Sequence, residues 1–206
     1  MKVTKQAEGD FKKELLSNGT HAARIFSVVD LGTQEGEYQG VPKLQRKLKI
    51  GFEVPNKTIT YEKDGEEKTF PLVVRKRFTL SLADLSHLTP IVKSALGSVP
   101  EDLEVSTLIG KTLLINVGQD NFQGNDYNTI ESSTPIPEGM EVLDAVNDVL
   151  IFDLDAFDQT VFDSLPEWEQ KIIVRSPEYK ALGIKAEAEA DRDLVDPADG
   201  PFLVRD

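Results

Sequence analysis

Three consecutive cations precede an aromatic ring at Arg75, Lys76, Arg77 and Phe78. In an extended strand successive side chains alternate, so Arg75 and Arg77 share one face while Lys76 and Phe78 share the other. Cations that track phosphates, beside rings that stack bases, are what a flexible, unpaired nucleic-acid strand requires. Each stacked base contributes about 1–3 kcal/mol. Lys43, Arg46, Lys47, Lys49, Tyr61, Phe122 and Tyr127 extend this candidate set. The competing reading is plainer: solvated strand faces, with Phe52, Phe70 and Phe78 in a core, where phenylalanine usually sits.

Other chemistries find less support. His21 and His87 are the only histidines, and neither has a second His, Cys or Glu at ligand spacing. Asp153, Asp155 and Asp158 form a D-x-D-x-x-D run that a hard divalent cation could use. The glycine and glutamate of a calcium loop are missing from its sixth and twelfth positions. The preferred reading is an acidic strip that mimics nucleic acid or covers a basic face. No phosphate-binding glycine loop and no nucleophile elbow occurs, and residues 118–124 form a turn between two strands. No catalytic residue, metal ligand or cofactor is therefore assigned.

Charge is distributed unevenly. The net charge of -13 would by itself argue against a polyanionic partner. Yet residues 1–130 balance 17 Lys/Arg against 17 Asp/Glu, while residues 131–206 hold 6 against 19. Residues 43–77 carry 10 Lys/Arg and 5 Asp/Glu, so a basic face can coexist with an acidic end. The absence of cysteine removes disulfides and thiolate chemistry and suits a reducing compartment. The first residues lack the apolar stretch of a signal peptide. No apolar run approaches the roughly 18 residues of a membrane span, the longest lying near residues 149–152. A cytoplasmic protein without membrane attachment is expected.

The elements that must position these residues are mostly strands. Residues 21–31 are apolar and β-branched and form a first strand; residues 32–42, with three glycines and a proline, form a loop. Residues 44–54 alternate Leu44, Leu48, Ile50 and Phe52 against Gln45, Lys47, Lys49 and Glu53, which predicts a strand with one wet face. Residues 57–70 form a hairpin with arms at 58–61 and 68–70 around Asp64-Gly65, and residues 73–82 a further strand. A helix spans 84–96, its regular part beginning near Leu88 because of Pro90, with Gly97 as C-cap. Residues 111–117 and 127–132 are strands joined by a loop at 120–126. Pro135 to Gly139 marks a boundary, a helix opens around Pro166 with Trp168, Ile172 and Ile173 on one face, and a break precedes Pro177.

Five or so strands with one helix before the last pair is the element order of an OB-fold. The expected fold is mainly β: an OB-fold-like five-stranded Greek-key barrel with one inserted helix, plus a C-terminal helical, acidic extension. The corresponding division is an N-terminal extension at 1–19, a binding domain at 20–139, an acidic segment with a helix at 140–184 and an acidic flexible tail at 185–206. Within that tail Asp193, Asp196, Asp199 and Phe202 suit docking into a basic, apolar-floored pocket on a partner, or competition with a polyanion for the protein's own face.

The chain resembles phage-encoded single-stranded-DNA-binding proteins. The resemblance rests on Ala23-Arg24 with Val28-Val29-Asp30-Leu31-Gly32, then Lys76 to Leu82, Leu108-Ile109-Gly110-Lys111, and Tyr127-Asn128-Thr129-Ile130 with Pro135-Ile136-Pro137. Phe162 to Trp168 and Ser176-Pro177-Glu178-Tyr179-Lys180 complete it. The order of these weak motifs, covering most of residues 20–182, carries it. In the family's tails the aromatic stands at or near the end, whereas here Leu203 to Asp206 follow Phe202. The resemblance implies coating of single-stranded DNA in replication or recombination, and recruitment of such proteins through the acidic C-terminus. It implies the host cytoplasm as location, and a homodimer is compatible with it. Two rivals come from other classes. One is an interaction module that mimics DNA with residues 141–199; the other is a metal nuclease using Asp153 and Asp155.

Overall fold

Within residues 23–31 the apolar pairs Ile25-Phe26 and Val28-Val29 put apolar side chains on both faces of a strand rather than at alternate positions only, the pattern of a strand covered on both faces. The computed structural model describes residues 14–38, 40–63, 66–140 and 144–183, with the backbone alone for 38, 61–63 and 66. In it the run lies inside β1 (Gly19–Tyr38), which pairs with β2 (Val41–Lys63). β2 continues into β3 (Glu66–Thr79) through a two-residue connection, with Lys63 opposite Glu66. After α1 (Leu88–Leu96) and a 3-10 turn at Val105–Leu108 come β4 (Thr112–Phe122) and β5 (Asn125–Pro135). The chain closes with β6 (Leu150–Phe152), α2 (Gln159–Ser164), α3 (Glu167–Ile173) and α4 (Pro177–Ala181).

The fold is mainly β, a six-stranded open sheet in the order β3-β2-β1-β4-β5, with β6 beside β1. β1 divides its edges by length. On one side it pairs with β2 from Arg24 onward; on the other, residues 19–24 pair antiparallel with β4 and residues 27–29 pair parallel with β6. β6 thus fills the edge that β4 leaves. Among the described residues no backbone ladder joins β3 to β5, although Lys76 Nζ on β3 donates to the Ile130 carbonyl on β5 at 2.5 Å.

Two hydrophobic cores lie on opposite faces of β1. The first holds Ile25, Val28, Leu48, Ile50, Phe52, Val74, Phe78, Leu88, Ile91, Leu113, Ile115 and Ile130, with α1 as its plug. Gly97 ends α1 in the left-handed conformation (φ 83°) and its N–H returns to the Lys93 carbonyl, as glycine caps do. The second core joins Val29 and Leu31 of β1 to Phe152, Leu154, Phe162, Leu165, Ile172, Ile173 and Tyr179. Edge-to-face and tilted ring pairs link Phe152, Phe157, Phe162 and Tyr179 at 5.4–5.9 Å between centroids. Residues 144–183 are therefore a cap folded onto the sheet.

Several expectations need correction. The loop expected at 32–42 is strand to Tyr38 and again from Val41. Gly32 absorbs a bulge (φ +68°), and a Cβ there would run into the Ser176 side chain. The loop expected at 120–126 is a two-residue turn at Gln123-Gly124, both with positive φ, which matches the twist of the flanking strands. The separate arms and strands expected on either side of Pro55 and Pro71 are two long strands with a register shift between Val54 and Thr58, since proline is tolerated at such bulges. The tight turn expected at Asp64-Gly65 lies outside the described residues, as do the tail at 185–206 and residues 1–13 of the N-terminal extension. The expected wet face of 44–54 is dry: Lys47, Lys49 and Glu53 are all buried, Lys49 against Glu169 and Trp168 and Glu53 against Asn147 of the cap.

Candidate nucleic-acid interface

Alternation along β2 and β3 separates two faces. Leu48, Ile50, Phe52, Val74 and Phe78 enter the first core, so Lys47, Lys49, Gly51, Arg75 and Arg77 take the opposite face. The register sets them in rows. Val29, Lys49 and Arg77 lie side by side across β1, β2 and β3, and Ser27, Gly51 and Arg75 form the next row. Arg75 and Arg77 are about 6.6–6.8 Å apart along the strand.

The cap meets this face with an aromatic ring and with carboxylates. Lys49 Nζ donates to Glu169 Oε1 at 2.9 Å, and both side chains are at most 5 % exposed. The same ammonium lies 4.0 Å from the centroid of the Trp168 ring, and the Arg77 guanidinium 5.6 Å from it. Arg46 binds Asp30 at 2.5 Å and Asp155 at 3.0 Å, with Asp153 at 4.0 Å. The Asp30 hydrogen bond holds the Arg46 pKa above its ordinary value. Lys47 is neutralised by no carboxylate of this set. Its Nζ donates to Gln45 Oε1 at 2.7 Å and Thr79 Oγ1 at 2.9 Å, and burial pushes its pKa down.

Of Lys47, Lys49, Arg75 and Arg77, Arg75 is the one that stays exposed. Its guanidinium stands 5.6 Å from the centroid of Phe26. Phe26 lies across Gly51, where an added Cβ would meet the Phe26 ring and the Ser27 hydroxyl. Glycine at 51 thus lets a ring lie flat on the sheet under a cation.

The remaining candidates scatter. Phe78 is buried at 3 % exposure in the first core, which removes it as a stacking ring. Lys76, on the same inward side, is engaged with Ile130 and lies 5.9 Å from the Phe78 ring. Arg46, Lys47 and Lys49 are held by the neighbours named above rather than open to solvent. Lys43 sits exposed near the tip of the β1–β2 hairpin, beside Val41 and Leu44, which are 63 % and 64 % exposed. Phe122 and Tyr127 are half-buried near the β4–β5 turn, across β1 from the cationic rows. The Tyr61 side chain lies outside the described residues, as do Asp193, Asp196, Asp199 and Phe202.

The acidic run serves the cap. Asp153 and Asp155 face Arg46, so part of the strip does cover a basic group, and Asp158 caps α2 by accepting from Thr160 and Val161. Among the described residues no group of three or more His, Asp or Glu side chains could hold a metal ion. His21 Nε2 pairs with the Ser17 carbonyl at 2.8 Å. Sequence reasoning passed over Phe26, Gly51, Glu53, Trp168 and Glu169. Glu53 is fully buried, binds Arg24 at 2.8 Å, and accepts from both the backbone and the side-chain nitrogen of Asn147. Its place on the polar phase of β2 gave no sign of burial, since Lys47 and Lys49 share that phase. Glu169 gave none either, because its partner is 120 residues away in the chain.

Among the described residues no helix is long and apolar enough to cross a membrane. Comparison of the sequence with protein-family models and with curated proteins finds no match.

Proposed function

We propose that this chain binds single-stranded DNA without regard to sequence and without catalysis, through an OB-fold-like barrel. The observation that carries this reading is the set of cations in register on the outer face of β2 and β3, with Lys49 opposite Arg77 and exposed Arg75 one row on. Cations spaced along strands in this way can track the phosphates of a single strand.

The topology supports the barrel. β1 is shared between β2 and β4, α1 lies between β3 and β4, and the Lys76 side chain reaches from β3 to β5, an arrangement compatible with a partly open five-stranded Greek-key barrel. On this reading the protein works in the cytoplasm of a phage-infected host, in replication or recombination. Its acidic C-terminus, with Asp193, Asp196, Asp199 and Phe202, recruits proteins of those processes.

Fluorescence anisotropy with labelled oligo-dT and oligo-dA tests the reading. Both should bind in low salt with affinities within a few-fold of each other. Absence of binding at micromolar protein would refute it.

A further inference from the structure

The cap presents two different halves to the sheet. Over β1 it is apolar: seven cap side chains, Phe152, Leu154, Phe162, Leu165, Ile172, Ile173 and Tyr179, close on Val29 and Leu31. Over β2 and β3 it carries charge: Trp168, whose ring also packs against the apolar cluster, lies against Lys49 and Arg77, and Glu169 is paired with Lys49. The two halves have different physical consequences. Apolar burial has no competitor in solution. A buried ion pair is held no more firmly than a well-packed apolar pair would be, because desolvation offsets most of the attraction. Its carboxylate can be replaced by another anion that brings the same charge.

We infer that the Trp168–Glu169 edge of α3 is an internal stand-in for a nucleotide, and that single-stranded DNA binds by displacing this edge while the apolar half of the cap stays seated on β1. The inference rests on the single-stranded-DNA reading above and adds how its site is controlled. The groups correspond one to one: the indole takes the place of a base over two cations, and the Glu169 carboxylate that of a phosphate on Lys49. Exposed Arg75, one row from Lys49 and Arg77, gives an incoming strand its first contact before the edge lifts. The same cap segment repeats the device where Asp155 holds Arg46. Tyr179 and Ile173 keep the segment attached, so the displaced edge remains next to the site and reseats when DNA leaves.

Trp168 is the only tryptophan of the chain, so its emission reports the edge directly. Full-length protein is titrated with oligo-dT in low salt, reading Trp168 emission and the anisotropy of labelled oligo-dT in parallel. The emission should change with the same midpoint as the anisotropy. Glu169→Gln should raise oligo-dT affinity by about five- to tenfold, the size of an ordinary coupling between sites. Trp168→Ala should keep or tighten binding, whereas a base-stacking Trp168 would require it to weaken. Binding without any change in Trp168 emission overturns the inference and leaves the DNA reading standing. So does a folded Glu169→Gln protein with unchanged or weaker affinity, or a folded Trp168→Ala protein that binds more weakly. Should Glu169→Gln fail to fold, the wild-type emission titration decides. No binding by any of the proteins at micromolar concentration overturns the DNA reading and this inference together.

Discussion

Glu53→Ala should unfold this protein far more readily than its position on a two-faced strand would suggest. The carboxylate is completely buried. It receives Arg24 Nη1 at 2.8 Å, the Asn147 backbone N–H at 2.9 Å and Asn147 Nδ2 at 2.8 Å. It therefore ties β2 both to β1 and to the segment through which the cap enters. Removing one partner of a buried ion pair costs about 3–5 kcal/mol. The Arg24 side chain keeps 16 % exposure and can partly rehydrate, which sets the expectation near the lower end, about 3 kcal/mol. For a chain of this size each kcal/mol lowers Tm by about 2–4 °C, so a fall of about 6–12 °C follows. Glu53→Gln retains an acceptor oxygen and should lose about half as much. Urea denaturation followed by far-UV circular dichroism measures both. A Glu53→Ala protein within about 0.5 kcal/mol of wild type, the range of an ordinary surface substitution, would refute this account of how the cap is joined to the sheet.

Two further expectations concern the junction of α4 with β1. Gly32→Ala combines a left-handed backbone (φ +68°) with a Cβ that would strike Ser176, and should cost about 2–4 kcal/mol in the same denaturation assay. A neutral result would mean that the bulge and α4 are not in contact. Glu178 accepts from the Thr33 amide at 2.8 Å and hydroxyl at 2.5 Å. Burial works to raise its pKa, but the Thr33 bonds and the nearby Arg46 hold it below 4.5. A carboxyl whose folded pKa is depressed stabilises the fold above its unfolded pKa and loses that contribution as pH falls through the folded value. The stability gap between wild type and Glu178→Gln should therefore be present at neutral pH and shrink as the pH is lowered below 4.5. A gap independent of pH would contradict the sign.

Much of the body was legible because strand and helix periods are local. The helix at Leu88, its glycine cap and the apolar pair Val28-Val29 all announce themselves in neighbouring residues. Strand lengths were underread wherever Gly32, Pro55, Pro71 or Gly124 interrupted the pattern, since a bulge or a two-residue turn leaves the same residues in sequence as a loop does. The candidate site was legible in composition but not in exposure. Lys47 and Lys49 alternate with apolar neighbours as solvent-facing residues would, yet both are buried, and for Lys49 the covering groups, Trp168 and Glu169, lie more than 100 residues downstream. Phe78 followed the ordinary rule for phenylalanine. β6 was hidden because three residues, Leu150–Phe152, are too few for a period to show.

The central claim is that exposed and coverable cations on β2 and β3 hold a single strand. The most direct test is the salt dependence of oligo-dT binding for wild type and Arg75→Ala side by side. Three to four phosphate contacts predict a slope of log K against log salt of about -2 to -3, with Arg75→Ala shallower by about 0.7. A wild-type slope near zero, or an Arg75→Ala slope equal to that of wild type, would contradict the assignment of DNA to this face.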